Sequence, residues 1–137
     1  MKINITLDKN NKITNIITYP LNKDLITIDI DNLSDIRVGY DYFINNQIIK
    51  NETYELDMQI AEINRQISEY KEKLNQSDYK ALKYFEGFIS EDDYKPIKEE
   101  RQKYRDKINS LENDTLIILN KRALFLAKLN EVNSKND

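Results

Sequence analysis

Residues 76–109 read QSDYKALKYFEGFISEDDYKPIKEERQKYRDKIN, and the punctuation in this stretch decides the fold. Asn75-Gln76-Ser77-Asp78 predicts the end of one helix and the start of the next, because Ser and Asp side chains accept bonds from the free N–H groups of a first helical turn. From Tyr79 to Glu86, Tyr79, Leu82 and Phe85 share a face, with Ala81 and Tyr84 beside it. Gly87 follows as the left-handed residue that ends a helix, and Phe88-Ile89 is an apolar link that tucks under the turn. Ser90 with Asp93 resembles a capping box with Asp replacing Glu, and Glu91, Asp92 and Asp93 suit the positive end of a helix dipole. Pro96 lies near enough to that start to be tolerated or to split off one turn. Ile97, Arg101, Tyr104, Ile108 and Leu111 then step by four and three. The stretch predicts a helical hairpin.

Upstream, Leu56, Ile60, Ile63, Ile67, Tyr70 and Leu74 also step by four and three, with Glu62, Arg65, Glu69, Lys71 and Lys73 around them. This is a coiled-coil seam roughly 30 Å long at the helical rise per residue. Pairing within the hairpin and pairing with a second copy satisfy it equally. Downstream, Asn113-Asp114-Thr115 is a candidate break or re-cap. LIILNKRALFLAKL (116–129) then carries Leu116, Leu119, Ala123 and Leu126 on one stripe. Ile117, Ile118, Leu124 and Phe125 widen it, which predicts burial against more than one neighbour. Residues 131–137 read as a frayed tail.

The first half alternates with a period of two. Ile3, Ile5 and Leu7 share a face, Asp8 to Asn11 is a polar turn, and Lys12 to Tyr19 resumes the pattern; two such runs around a short turn predict a hairpin. LITIDI (25–30) alternates again, and DNLSDI (31–36) suits a single helical turn. GYDYFI (39–44) and QIIK (47–50) flank Asn45-Asn46, a pair that tolerates the positive φ of a tight turn. The fold class is therefore α+β: a small meandering antiparallel sheet over 1–52, and a helical region over 53–130 with helices near 54–75, 78–87 and 91–130. Such a sheet buries one face at best and needs a partner surface.

Composition narrows the chemistry. The 137 residues contain no Cys and no His, which removes disulfides, thiolate zinc sites and every mechanism that uses imidazole. A net charge of −3 and a pI near 5.1 argue against a nucleic-acid binder, which carries a basic face. Only two Gly and no Gly-rich phosphate loop argue against nucleotide chemistry. No run of about 20 apolar residues predicts a membrane span, and the N-terminus lacks the apolar core of a secretory signal.

Three groups of residues are candidate sites. Glu91, Asp92 and Asp93 lack the alternating ligands and Gly of a calcium loop, so they read as dipole matching. Lys95, Lys98, Arg101, Lys103, Arg105 and Lys107 alternate with Glu99, Glu100 and Asp106, which reads as an ion-paired helix face rather than a phosphate site. Tyr79, Leu82, Tyr84, Phe85, Phe88, Ile97, Tyr104 and Ile108 read as packing across the hairpin or as partner anchors. No catalytic, cofactor or metal residue is expected.

The hairpin resembles one near the C-terminus of many small phage and prophage tail proteins. Their pattern is D-Y-x-x-I/L-K-Y-x-E-G, an acidic Ser-led turn, Y-x-P-I/L, then R-x-x-W/Y-R-x-x-I-N. Here it runs Asp78-Tyr79, Leu82-Lys83-Tyr84, Glu86-Gly87, Tyr94, Pro96-Ile97, Arg101, Tyr104-Arg105 and Ile108-Asn109, with Tyr104 where many relatives carry Trp. The resemblance covers about a quarter of the chain, and the first half is similar only loosely to short β-rich modules of small phage proteins. It implies a non-enzymatic structural or adaptor component of a tail tip, baseplate or fibre, made in the host cytoplasm and resident in the virion tail. Its expected partners are other tail or fibre proteins and further copies of itself, without cofactor, nucleic acid or membrane. A tail-fibre assembly chaperone absent from the virion is the alternative.

Overall fold

The computed structural model describes residues 1–135. The elements are β1 (Lys2–Leu7), β2 (Ile13–Ile17), β3 (Ile26–Asp29), a 3-10 turn (Leu33–Asp35), β4 (Tyr42–Ile44), β5 (Gln47–Ile49), α1 (Thr53–Phe85) and α2 (Glu91–Lys135). The class is α+β, a small antiparallel sheet followed by two long helices. Two compact units divide the chain. One comprises residues 1–54 with α2 from Arg122 onward, and the other Glu55–Lys121.

In the first unit the expected strands form, but they do not meander. The order is β2-β1-β3, so β3 passes over β2 and pairs antiparallel with the far side of β1, Ile3 opposite Ile28. A buried side chain explains the crossing. Asn4, fully buried on β1, accepts from the Asn22 N–H at 2.6 Å and donates to Thr27 Oγ1 at 2.8 Å and Ile26 O at 3.3 Å. A buried amide must find such partners, since leaving it unpaired costs about 1–3 kcal/mol. Asn4 thus ties the crossing loop and β3 to β1. β4 instead lies beside the start of β2: Ile13 N–H donates to Asp41 O and Phe43 N–H to Asn11 O, each at 2.9 Å, and Lys12 bridges Tyr42. Asn45 and Asn46, φ 54° and 62°, make the two-residue turn into β5 that their sequence predicts.

The core of this unit is Ile3, Ile5, Ile13, Ile30 and Ile36. A second cluster joins Tyr42 and Ile44 to Leu129, with Ile49, Phe125 and Val132 packed around it. That cluster corrects the expected frayed tail: α2 stays helical through 131–135 because Val132 is packed there and Asn133 accepts from the Asn11 amide at 3.1 Å. Residues 136 and 137 of that expected tail lie outside the described residues.

Asp41 organises the loop between the 3-10 turn and β4. It is fully buried and accepts from Arg37 N–H at 2.8 Å, Asn51 N–H at 2.9 Å and Lys50 Nζ at 3.2 Å. Burial pushes its carboxyl up, but the N–H groups of Asn51 and Arg37, with the Lys50 and Arg37 side chains, outweigh that and hold it below the usual value of 3.8. Because the folded-state value is depressed, the stabilisation is complete above the usual range and is lost as pH falls through the lowered one. Asp41→Asn is expected to cost about 2 kcal/mol at neutral pH, the scale for losing charge-assisted hydrogen bonds at a buried carboxylate. Urea unfolding at pH 7 and pH 3 should show that gap narrowing in acid.

Candidate interaction surface on the helical hairpin

In the second unit the two helices close on each other through side chains that repeat every three and four residues. Leu56, Ile60, Ile63, Ile67, Tyr70 and Leu74 are all half-buried. On α2 the matching series is Tyr94, Ile97, Arg101, Tyr104, Ile108, Leu111, Thr115 and Ile118, with Arg101, Ile108 and Ile118 buried. Tyr84 stacks on Tyr94, centroids 4.3 Å apart and planes 8° apart, and Tyr70 lies 5.9 Å from Tyr104. The seam that the sequence leaves open therefore faces α2 of the same chain.

The predicted break at Asn75–Asp78 is absent, and α1 runs unbroken to Phe85. Ser77 does not cap a new helix; its hydroxyl donates back to Leu74 O at 3.0 Å, a bond that fits a continuous helix. Ser77 is itself a seam residue, and the stepping continues from Leu74 through Ser77 and Ala81 to Tyr84. Arg101 reaches across to this place. Its Nη1 donates to Leu74 O at 2.8 Å and to Ser77 Oγ, and its Nη2 to Asp78 Oδ1 at 2.8 Å. Polar residues that resemble a helix boundary are thus the receptor for a guanidinium. Arg101 Nε is buried without a hydrogen-bond partner among the described residues.

The backbone of the turn follows its sequence, but Phe88, expected to tuck beneath it, is exposed and only Ile89 is half-buried. Gly87 has φ 85°, Phe88 N–H donates to Lys83 O at 2.8 Å and Gly87 N–H to Tyr84 O at 3.0 Å. This is the paired closure of a helix ended by a left-handed glycine. Ser90 Oγ accepts the Asp93 N–H at 3.1 Å, which starts α2. Pro96 is tolerated without splitting the helix. The expected break at Asn113–Thr115 is also absent, with Thr115 Oγ1 donating back to Leu111 O at 3.2 Å.

Once Ser77, Ala81 and Tyr84 fill the seam, another face of α1 is left uncovered near the turn. Tyr79 is 63% exposed, Leu82 58%, Phe85 89% and Phe88 76%, so these four do not pack across the hairpin, whereas Tyr84, Ile97, Tyr104 and Ile108 do lie in the seam. Lys83 Nζ sits 4.5 Å above the Tyr79 ring. The downstream stripe is also displaced: Leu116 and Leu119 are exposed and Leu126 only half-buried. The register set by Ile108 and Leu111 turns Thr115 and Ile118 inward, one step away from that stripe. A shallow groove of about 560 Å³ lies beside the seam, lined by Met58, Glu62, Ile63, Asp114, Ile117 and Ile118.

Glu62 and Tyr104 are shifted by neighbours on their own helix. Arg65 bonds Glu62, holding that carboxyl down at about 2 together with Gln66. The Tyr104 hydroxyl is raised, first by its bond to Glu100. No group of three His, Cys, Asp or Glu among the described residues suits a metal ion, and no helix there is long and apolar enough to cross a membrane. The sequence puts Arg101 both in the four-three series and on the ion-paired face; a lone cation in a seam position is the signal for its role. Family models, curated proteins and solved structures give no match to the chain.

Arg101→Ala should lower stability by about 2 kcal/mol, since it strips charge-assisted bonds from a buried position. Ser77→Ala should cost under half of that, because the Leu74 and Asp78 contacts survive. Urea midpoints of the two variants check the ranking.

Proposed function

We propose that the chain is a non-enzymatic structural or adaptor component of a phage tail tip, baseplate or fibre that works through protein–protein assembly. The observation that carries the assembly reading is the uncovered apolar face at the hairpin turn, Tyr79, Leu82, Phe85 and Phe88. Aromatic anchors of this kind dominate binding energy when a partner desolvates them. The tail assignment itself rests on the sequence pattern from Asp78 to Asn109. Self-association belongs to the same proposal, with the Met58–Ile117 groove as its surface on the second unit.

Peptide mass spectrometry on purified particles, or on induced prophage tails, tests the assignment. Recovery in fixed ratio to the major tail proteins is expected. Presence in lysate complexes with a fibre, but absence from particles, would move the reading to an assembly chaperone. Phe85→Ser combined with Phe88→Ser is expected to lower incorporation at least tenfold with unchanged circular dichroism, because both rings already face solvent. Light scattering at the 16.3 kDa of a single chain, at all concentrations, would remove self-association from the proposal.

A further inference from the structure

The β unit has two open edges, and their directions and chemistry match one absent strand. β1 is antiparallel to β2 and to β3, β2 meets β4 through an antiparallel bridge, and β4 is antiparallel to β5. The lateral order β3, β1, β2, β4, β5 therefore alternates in direction, and the two end strands run the same way. A single strand of opposite direction would be antiparallel to both ends. We propose that the groove between β3 and β5 accepts one extended segment of a partner polypeptide by strand addition.

The backbone groups are placed for it. Met1 and Ile30 exchange both main-chain bonds, at 2.9 Å each, so the alternation of an antiparallel ladder turns Ile26 and Ile28 towards β1 and leaves the N–H and C=O of Thr27 and Asp29 pointing outward. On β5 the two-residue turn makes Ile44 and Gln47 a bonded pair, which sends the N–H and C=O of Ile48 outward; the outward Phe43 N–H, bonded to Asn11 O, agrees with this register. Among the described residues, no strand or side chain bonds these outward groups of Thr27, Asp29 and Ile48.

The groove measures about 450 Å³ and is lined by both edges together with Phe43 and Asn46. Ile28, Phe43 and Ile48 are only partly buried there, and all three pack on the Ile3, Ile5 and Ile13 core. An incoming strand with alternating apolar side chains would cover that core on one face and keep its polar side chains on the other. Both walls of the slot need a partner, so the occupant must be free on both of its own edges. Each strand among the described residues already has a neighbour, so the same β unit of a second copy cannot supply it. The occupant is a segment of a different polypeptide. This assignment stands apart from the tail reading and from the helical hairpin.

Hydrogen exchange followed by NMR on the isotope-labelled full chain tests it, with the synthetic peptide Lys-Thr-Val-Thr-Val-Thr-Lys added to millimolar concentration. In the free chain the Thr27, Asp29 and Ile48 amides are expected to exchange quickly, as open edges do. Peptide should slow all three at least tenfold, and the same peptide N-methylated at alternate residues should not. Slow exchange in the free chain, no slowing at millimolar peptide, or equal slowing by the methylated peptide would each overturn the proposal.

Discussion

The hairpin depends on one cation in an otherwise largely apolar and aromatic seam. Arg101 spends both terminal nitrogens of its guanidinium on α1, on the Leu74 carbonyl, the Ser77 hydroxyl and the Asp78 carboxylate. An apolar residue at that position would pack against several registers of the opposing helix. A fork-shaped cation with fixed acceptors fits one, and polar seam residues fix alignment at some cost in stability. The stacked Tyr84–Tyr94 pair on the turn side and the Tyr70–Tyr104 pair on the other side are the neighbouring layers that this alignment brings together.

The β unit solves a similar problem with a different polar group. Asn4 is as deeply buried as Ile3 and Ile5 on either side of it, yet its amide holds the crossing loop and decides which edge of β1 receives β3. Asp41 does the same for the next loop, gathering Arg37, Lys50 and Asn51 around one carboxylate. In each unit the apolar residues supply the burial, while a few buried polar atoms choose among the arrangements that burial alone would allow.

This division explains what was legible in the sequence. Periodicity located all five strands and both seams, and the special backbone positions Gly87, Asn45 and Asn46 declared themselves by residue type. The class of the fold follows from those signals. Asn75–Asp78 misled because Ser and Asp carry the same chemistry at a helix start and in a receptor for Arg, and only the partner, 23 residues away for Asp78, tells the two apart. The strand order was illegible for the same reason: nothing local to Asn4 announces that it will bond residues 22, 26 and 27. The exposed surface was half legible. Tyr79, Leu82, Phe85 and Phe88 were visible as an apolar group, but their exposure follows from Ser77 and Ala81 occupying the seam, the one too polar and the other too small to stand out in a hydrophobic pattern.

The central claim is that this seam is closed within one chain. Isotope-filtered NMR on an equimolar mixture of labelled and unlabelled protein tests it directly, by asking whether ring contacts between Tyr70 and Tyr104, and between Tyr84 and Tyr94, arise within or between molecules. Contacts confined to single molecules are the expected result. The same contacts appearing between labelled and unlabelled chains would show that the seam pairs two copies, and would contradict the hairpin.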